Sequence, residues 1–142
     1  MEAYDKADFG EVTSMKGFIG NIEEQTEENN FFRKVIFTAP HSQLVLMSLK
    51  PKEEIGEEVH EVDQFFRFEK GEGKVVIDGE ETIIKDGWAA VVPAGARHNV
   101  INTSETQSLK LYTIYSPAHH SDGTIHKTKE EALAAEESEH HE

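Results

Sequence analysis

Residues 87–102, GWAAVVPAGARHNVIN, decide how this 142-residue chain folds. The apolar run 88–92 reads as a short strand. Pro93 ends it, and Gly95 supplies the backbone freedom of a tight turn. The strand that returns from the turn carries His98 among its first residues, so the turn fixes which face His98 presents.

Outward from this stretch the same texture repeats. FFRKVIFT, SQLVLMSLK, QFFRFEKG, GKVVIDG, ETIIK and LKLYTIY are short β-branched, aliphatic or aromatic runs separated by breaker residues. Asp78-Gly79 and Asp86-Gly87 each lie between apolar segments, and both predict hairpins, because glycine tolerates the positive φ of a tight turn. Helical periodicity is missing across residues 31–116. Short strands at regular spacing without intervening helices predict an antiparallel sandwich or barrel.

The flanks differ. Residues 1–30 are polar and read as an N-terminal arm, with an edge strand expected near residues 18–22. Residues 31–117 form the barrel. Residues 118–142 form a C-terminal loop, a short helix and a polar tail. Thr128 with Glu131 three residues later is a capping box, and KEEALAAEE after it is a good helix former.

Composition narrows the function classes. The chain has 28 acidic and 14 basic residues, a formal net charge of −14, and no cysteine. Such a charge repels phosphate backbones and anionic lipid, so neither nucleic acid nor membrane is an expected partner. Absent cysteine removes disulfides and thiolate chemistry. No apolar run approaches the roughly 20 residues of a membrane span. The opening MEAYDKADFGEVTS lacks a basic segment followed by an apolar one, so no signal peptide is expected and the predicted location is cytoplasmic. The acidic runs 23–28 and 130–142 read as solvated faces.

The spacing of Gly87, Pro93, Gly95, His98 and Asn102 resembles the second conserved motif of the cupin superfamily at every position. The first motif lies upstream in modified form. Aligned from its last glycine, Gly71, the glutamate slot falls on Gln64, the second histidine slot on His60, the first on Glu58, and the leading glycine slot on Lys52. The resemblance extends over most of the chain, which looks like a group of small bacterial cupins often labelled mannose-6-phosphate isomerase-like. It implies a cupin-type antiparallel β-barrel (a double-stranded β-helix, or jelly roll) with a short C-terminal helix, holding one divalent metal ion.

Glu58, His60 and Gln64 share one parity, and strands alternate faces at every residue. With His98 they offer two imidazoles, one carboxylate and one amide oxygen, a set that suits iron and admits manganese, zinc or nickel. The usual family set also carries one carboxylate, so the ligands read as permuted rather than lost. For Gln64 the alternative is an amide that orients a bound water or substrate.

Phe66 and Phe68 share the parity of Gln64 and face the interior, either packing the core or stacking on substrate. Tyr115 is the tyrosine of its strand expected to reach inside, where it and Glu58 are the candidate proton carriers. His119 and His120, with His126, lie in a loop that could cover the barrel mouth and touch substrate. His140 and His141 belong to the polar tail. Lys16, Arg33 and Lys34 read as solvated surface, with contact to an anionic substrate as the alternative.

The expected function is action on a small polar, sugar-like or hydroxy-carbonyl metabolite, as an isomerase. The alternatives are a metal-dependent dioxygenase and a non-catalytic metal- or sugar-binding module. The strand QLVLMSL, apolar on both faces, predicts a homodimer that covers one of them.

Overall fold

The computed structural model describes residues 16–140. In chain order the elements are α1 (Ile22–Glu28), β1 (Arg33–Thr38), β2 (Gln43–Leu49), β3 (Glu58–Val59) and β4 (Asp63–Lys70). There follow β5 (Glu72–Ile77), β6 (Glu80–Lys85), β7 (Ala89–Val92), β8 (Arg97–Asn102), β9 (Leu109–Ser116), β10 (Ile125–His126) and α2 (Lys129–His140). The strands form a six-stranded sheet of order β10-β1-β2-β9-β4-β7 and a four-stranded sheet of order β3-β8-β5-β6. Every ladder is antiparallel, and the fold is the expected β-barrel.

Alternation fills the space between the sheets. Val45, Met47 and Leu49 from β2, Phe66 and Phe68 from β4, Val75 from β5, Val100 from β8, and Leu109 and Leu111 from β9 form one buried cluster. Each large apolar side chain removed from water contributes about 1.5–3 kcal/mol. At one end of the large sheet this interior turns polar. Gln43 is the ladder partner of Tyr115, and Tyr115 that of Gln64.

Turn chemistry explains part of this layout. Asp78 and Gly79 take φ of 49° and 88°, and β5 and β6 pair directly on either side. This is the two-residue hairpin expected of an Asp-Gly pair. Asp86-Gly87 is not a hairpin. The strand before it belongs to the small sheet and the strand after it to the large one, so the pair carries the chain between sheets. Lys52, in the slot where the family motif has glycine, takes φ of 66°, so a lysine occupies a left-handed position here.

The edge strand expected at residues 18–22 is absent. Asn21 instead caps α1, its side-chain oxygen accepting from the Glu24 amide at 3.0 Å. The remainder of the N-terminal arm, residues 1–15, lies outside the described residues. Lys110, on the outer face of β9, pins the end of this helix. Its Nζ donates to Asn29 O, Asn30 Oδ1 and Ser48 Oγ. Leu46 and Ser48 of β2 are buried within one chain, at 3% and 7% exposure. The outer face of that strand therefore gives no argument for a dimer.

The C-terminal helix forms as expected. The Glu131 amide donates to Thr128 Oγ1 at 3.1 Å, and Ala132 packs into the core cluster. The loop before it also contributes to the barrel, because β10 extends the large sheet beside β1.

Candidate metal centre

Glu58 faces His98 across the β3–β8 ladder, and His60 follows β3 directly. The turn between β7 and β8 locks this arrangement. Gly95, at φ of 91°, donates its amide to His60 O at 2.8 Å, and the Ala94 amide donates to Asp63 Oδ1 at 2.9 Å. The turn residues Ala94 and Gly95 thus hold the two ligand-bearing segments together. Asn102 does similar work at the other end of β8. Its Nδ2 donates to Leu49 O, Lys50 O and Gln107 O, and its Oδ1 accepts from the Ser104 amide.

One ligand atom each from Glu58, His60 and His98 lies within 4.8 Å of the others, a cluster able to hold a metal ion. His98 is 3% exposed. Its Nδ1 donates to Ala96 O at 3.1 Å, which orients the ring and turns Nε2 toward Glu58 and His60 as the ligand atom. That Nε2 is sealed from solvent without a hydrogen-bond partner. Gln64, 2% exposed, gives its Nε2 to Thr113 Oγ1 at 3.0 Å, and its Oε1 is likewise sealed and unpartnered. Two orphaned acceptors in one polar interior carry a desolvation cost that a cation would offset. The residues present therefore fit a divalent ion.

His60 Nε2 lies 3.1 Å from Glu58 Oε1. Burial by itself would raise the Glu58 carboxyl. The hydrogen bond from His60 and the charges of His60, Arg33 and His98 outweigh it and hold the group below the usual carboxylate range. Glu58 is thus the anionic member of the set.

The other expected residues divide. Tyr115 is 1% exposed and turned inward, its ring 5.8 Å from that of His60. Burial chiefly, and then the charge of Glu58, push its hydroxyl well above the usual tyrosine range, although Arg33 pulls the other way. His119 and His120 do come over the mouth. The His119 ring lies 4.2 Å from His60 and 5.3 Å from Tyr115, and His120 Nε2 lies 3.3 Å from the Tyr115 hydroxyl. Burial, followed by the charge of Arg33, drives the pKa of His120 down to about 2, so its ring is neutral. His126 accepts from Arg33 Nη1 at 3.2 Å. Phe66 reaches the site, its ring 6.2 Å from His98. Phe68 stacks behind Phe66 in the core, in the register row of Leu111.

Two residues at the site went unread or were misplaced. Gln43, 1% exposed, holds the loop that carries the histidines. Its Nε2 donates to Thr38 Oγ1 and to His120 O, and its Oε1 accepts the amides of both His119 and His120. No sequence signal distinguishes it from any polar strand-end residue. Arg33, expected on the solvated surface, is instead 3% exposed and inside the barrel.

The family model described as Cupin domain matches residues 45–115, which span both motifs and Tyr115. The chain is a cupin. It is 47% identical over 129 residues to the uncharacterized protein YrkC of Bacillus subtilis (strain 168), covering 86% of this cupin and 69% of that protein. It is 48% identical over 113 residues to the uncharacterized protein L612 of Acanthamoeba polyphaga mimivirus, covering 76% and 70%. The crystal structure of BH2720 from Bacillus halodurans superposes on this cupin with a TM-score of 0.82 at 40% identity, covering 86% of this chain and 98% of that one. KdgF from a Halomonas species superposes with a TM-score of 0.57 at 25% identity, covering 61% and 78%.

Proposed function

We propose that this cupin binds one divalent cation (iron, manganese, zinc or nickel) through Glu58, His60 and His98, with the Gln64 amide oxygen beside them, and acts on a small polar hydroxy-carbonyl metabolite as an isomerase. The observation that carries the metal reading is the buried Nε2 of His98, which lacks any hydrogen-bond partner. When bound, such an ion polarises a carbonyl and acidifies the neighbouring C–H.

The chain's own groups suit proton movement at that position. Glu58 stays ionised at neutral pH and can accept a proton. Tyr115 keeps its proton there and can donate a hydrogen bond to a substrate oxygen. Neutral His120 holds the Tyr115 hydroxyl in place. Phe66 and the Gln43-pinned loop limit water around the reacting carbon. The isomerase direction also rests on the sequence likeness to the mannose-6-phosphate isomerase-like cupins.

A dioxygenase is the second reading, favoured by the two-histidine, one-carboxylate set that suits iron(II). Proton exchange separates them. Incubating the metal-loaded chain with dihydroxyacetone in deuterium oxide should wash out C–H signals by NMR, and Tyr115→Phe should slow the loss. Absence of exchange with every metal, alongside dioxygen consumption with iron, would favour the dioxygenase; neither activity would leave a binding module. A homodimer stays part of the proposal, with exposed Ile83, Trp88 and Val91 as the apolar surface available to a second copy.

A further inference from the structure

Arg33 opens β1 and faces Met47 on one side and His126 on the other, so it belongs to an inward row of the large sheet. It is 3% exposed. Its side chain meets an imidazole and an aromatic ring: Nη1 donates to His126 Nδ1 at 3.2 Å, and Cζ lies 5.2 Å from the Phe32 ring centroid. Its Nε is sealed from solvent and has no acceptor. Among the described residues no carboxylate comes within the 4.0 Å of an ion pair with it.

A buried guanidinium without an anion is costly, by several kcal/mol per uncompensated ion. The obvious counter-charge is Glu58, which lines the same cavity of about 140 Å³ as Arg33. That carboxylate is the one the metal centre uses. Once a divalent cation takes it, with both imidazoles neutral, the interior carries about two net positive charges. The charged groups at the cavity rim do not change this. Glu57 is exposed and faces Arg97 at 3.9 Å, while Lys129 and Glu136 on α2 are opposite in sign.

We propose that Arg33 is the anion-binding half of the same interior site, and that its ligand is a small 2-hydroxy- or 2-oxo-carboxylate reaching cation and guanidinium together. This rests on the metal reading and adds the substrate's charge to it. A hydroxy- or oxo-carboxylate supplies two adjacent oxygens for the open positions of an ion, and the planar guanidinium matches a carboxylate. On a chain of net charge −14, an interior cation is what makes an anionic ligand tolerable.

The test is calorimetric titration of the manganese-loaded full chain with glycolate, with neutral glycolamide and with inorganic phosphate. Metal content is measured on every sample, and wild type is compared with Arg33→Met and Arg33→Lys. Wild type should prefer glycolate over glycolamide by at least about tenfold. Arg33→Met should keep its metal and lose that preference, and Arg33→Lys should keep part of it. Equal binding of glycolate by wild type and a metal-replete Arg33→Met overturns the proposal, as does Arg33-dependent binding of phosphate alone. Should wild type hold no manganese, the metal reading fails by itself. Glycolate binding to the metal-free chain, lost in Arg33→Met, would then support the anion site, and its absence would overturn it.

Discussion

Glu58 and His98 are direct partners across the β3–β8 ladder, so their side chains leave the sheet on the same face. Directly opposed residues in an antiparallel pair have Cβ atoms about 4.5–5.5 Å apart, within reach of a shared ion. The adjoining pair, Val59 and Arg97, faces outward, and Val59 is 49% exposed. A slip of one residue would set Glu58 opposite Arg97 or Asn99 and dissolve the site.

The single carboxylate should dominate the affinity of the centre. Glu58→Gln keeps the shape and removes the charge. It should weaken metal binding beyond the roughly 10–100-fold that loss of an outer hydrogen-bonding partner costs. Competition against a chromophoric chelator measures this. An unchanged affinity would remove Glu58 from the ligand set.

Gln43 holds both amides of the histidine pair and one of its carbonyls. Gln43→Leu should destabilise the fold by about 1–3 kcal/mol, the range for leaving buried polar groups unsatisfied. It should also speed amide exchange at positions 119 and 120 while the core strands keep their protection. Unchanged exchange at those two amides would mean the loop is held by something else.

His120 makes stability depend on pH in a predictable direction. Its folded pKa of about 2, set first by burial and then by the charges of Arg33, His119, His126 and His60, lies below the ordinary 6.5. Between those values the unfolded chain binds a proton that the native chain refuses. Stability present above about pH 6.5 is therefore lost as pH falls toward 2, at no more than about 1.4 kcal/mol per pH unit. Glu58, also depressed, acts in the same direction below its ordinary value of 4.5. Urea unfolding at pH 7 and pH 5 should show a loss of about 1–2 kcal/mol in wild type and a smaller one in His120→Gln. Equal losses would show that His120 is not the group responsible.

Backbone conformation yields a matched pair of expectations. Lys52 sits at φ of 66°, where a side chain is strained. Lys52→Gly should stabilise the protein by up to about 1 kcal/mol, strain relief exceeding the added chain entropy. Gly71 is the converse. At φ of 110° it has no room for a Cβ, which would come 2.8 Å from Ser108 O. Gly71→Ala should cost about 1–3 kcal/mol. Thermal unfolding of both variants checks the signs, and a destabilising Lys52→Gly would count against the strain at that slot.

What the sequence made legible was what depends on short-range pattern. Residues 87–102 specified a strand, a turn and the facing of His98, and parity placed Glu58, His60, Gln64 and Tyr115 on the interior. Where the reading failed, the deciding contacts were distant in sequence or the local signal was ambiguous. Asp86-Gly87 has hairpin chemistry, but nothing local reveals that the flanking strands join different sheets. In RKVIFT both parities carry apolar residues, so the side on which Arg33 lies was undetermined. The role of Gln43 depends on a loop 76 residues away. The helix α1 was missed despite a signal, since Asn21 followed three residues later by Glu24 is a start pattern, obscured by so polar a stretch.

Metal content of the untagged full chain, by mass spectrometry, tests the central claim most directly, with a His60→Ala/His98→Ala double variant beside it to discount the tail histidines. The account predicts close to one divalent ion per chain in wild type and none at this site in the double variant. A wild-type chain that holds no metal and takes up none from added iron, manganese, nickel or zinc would contradict it.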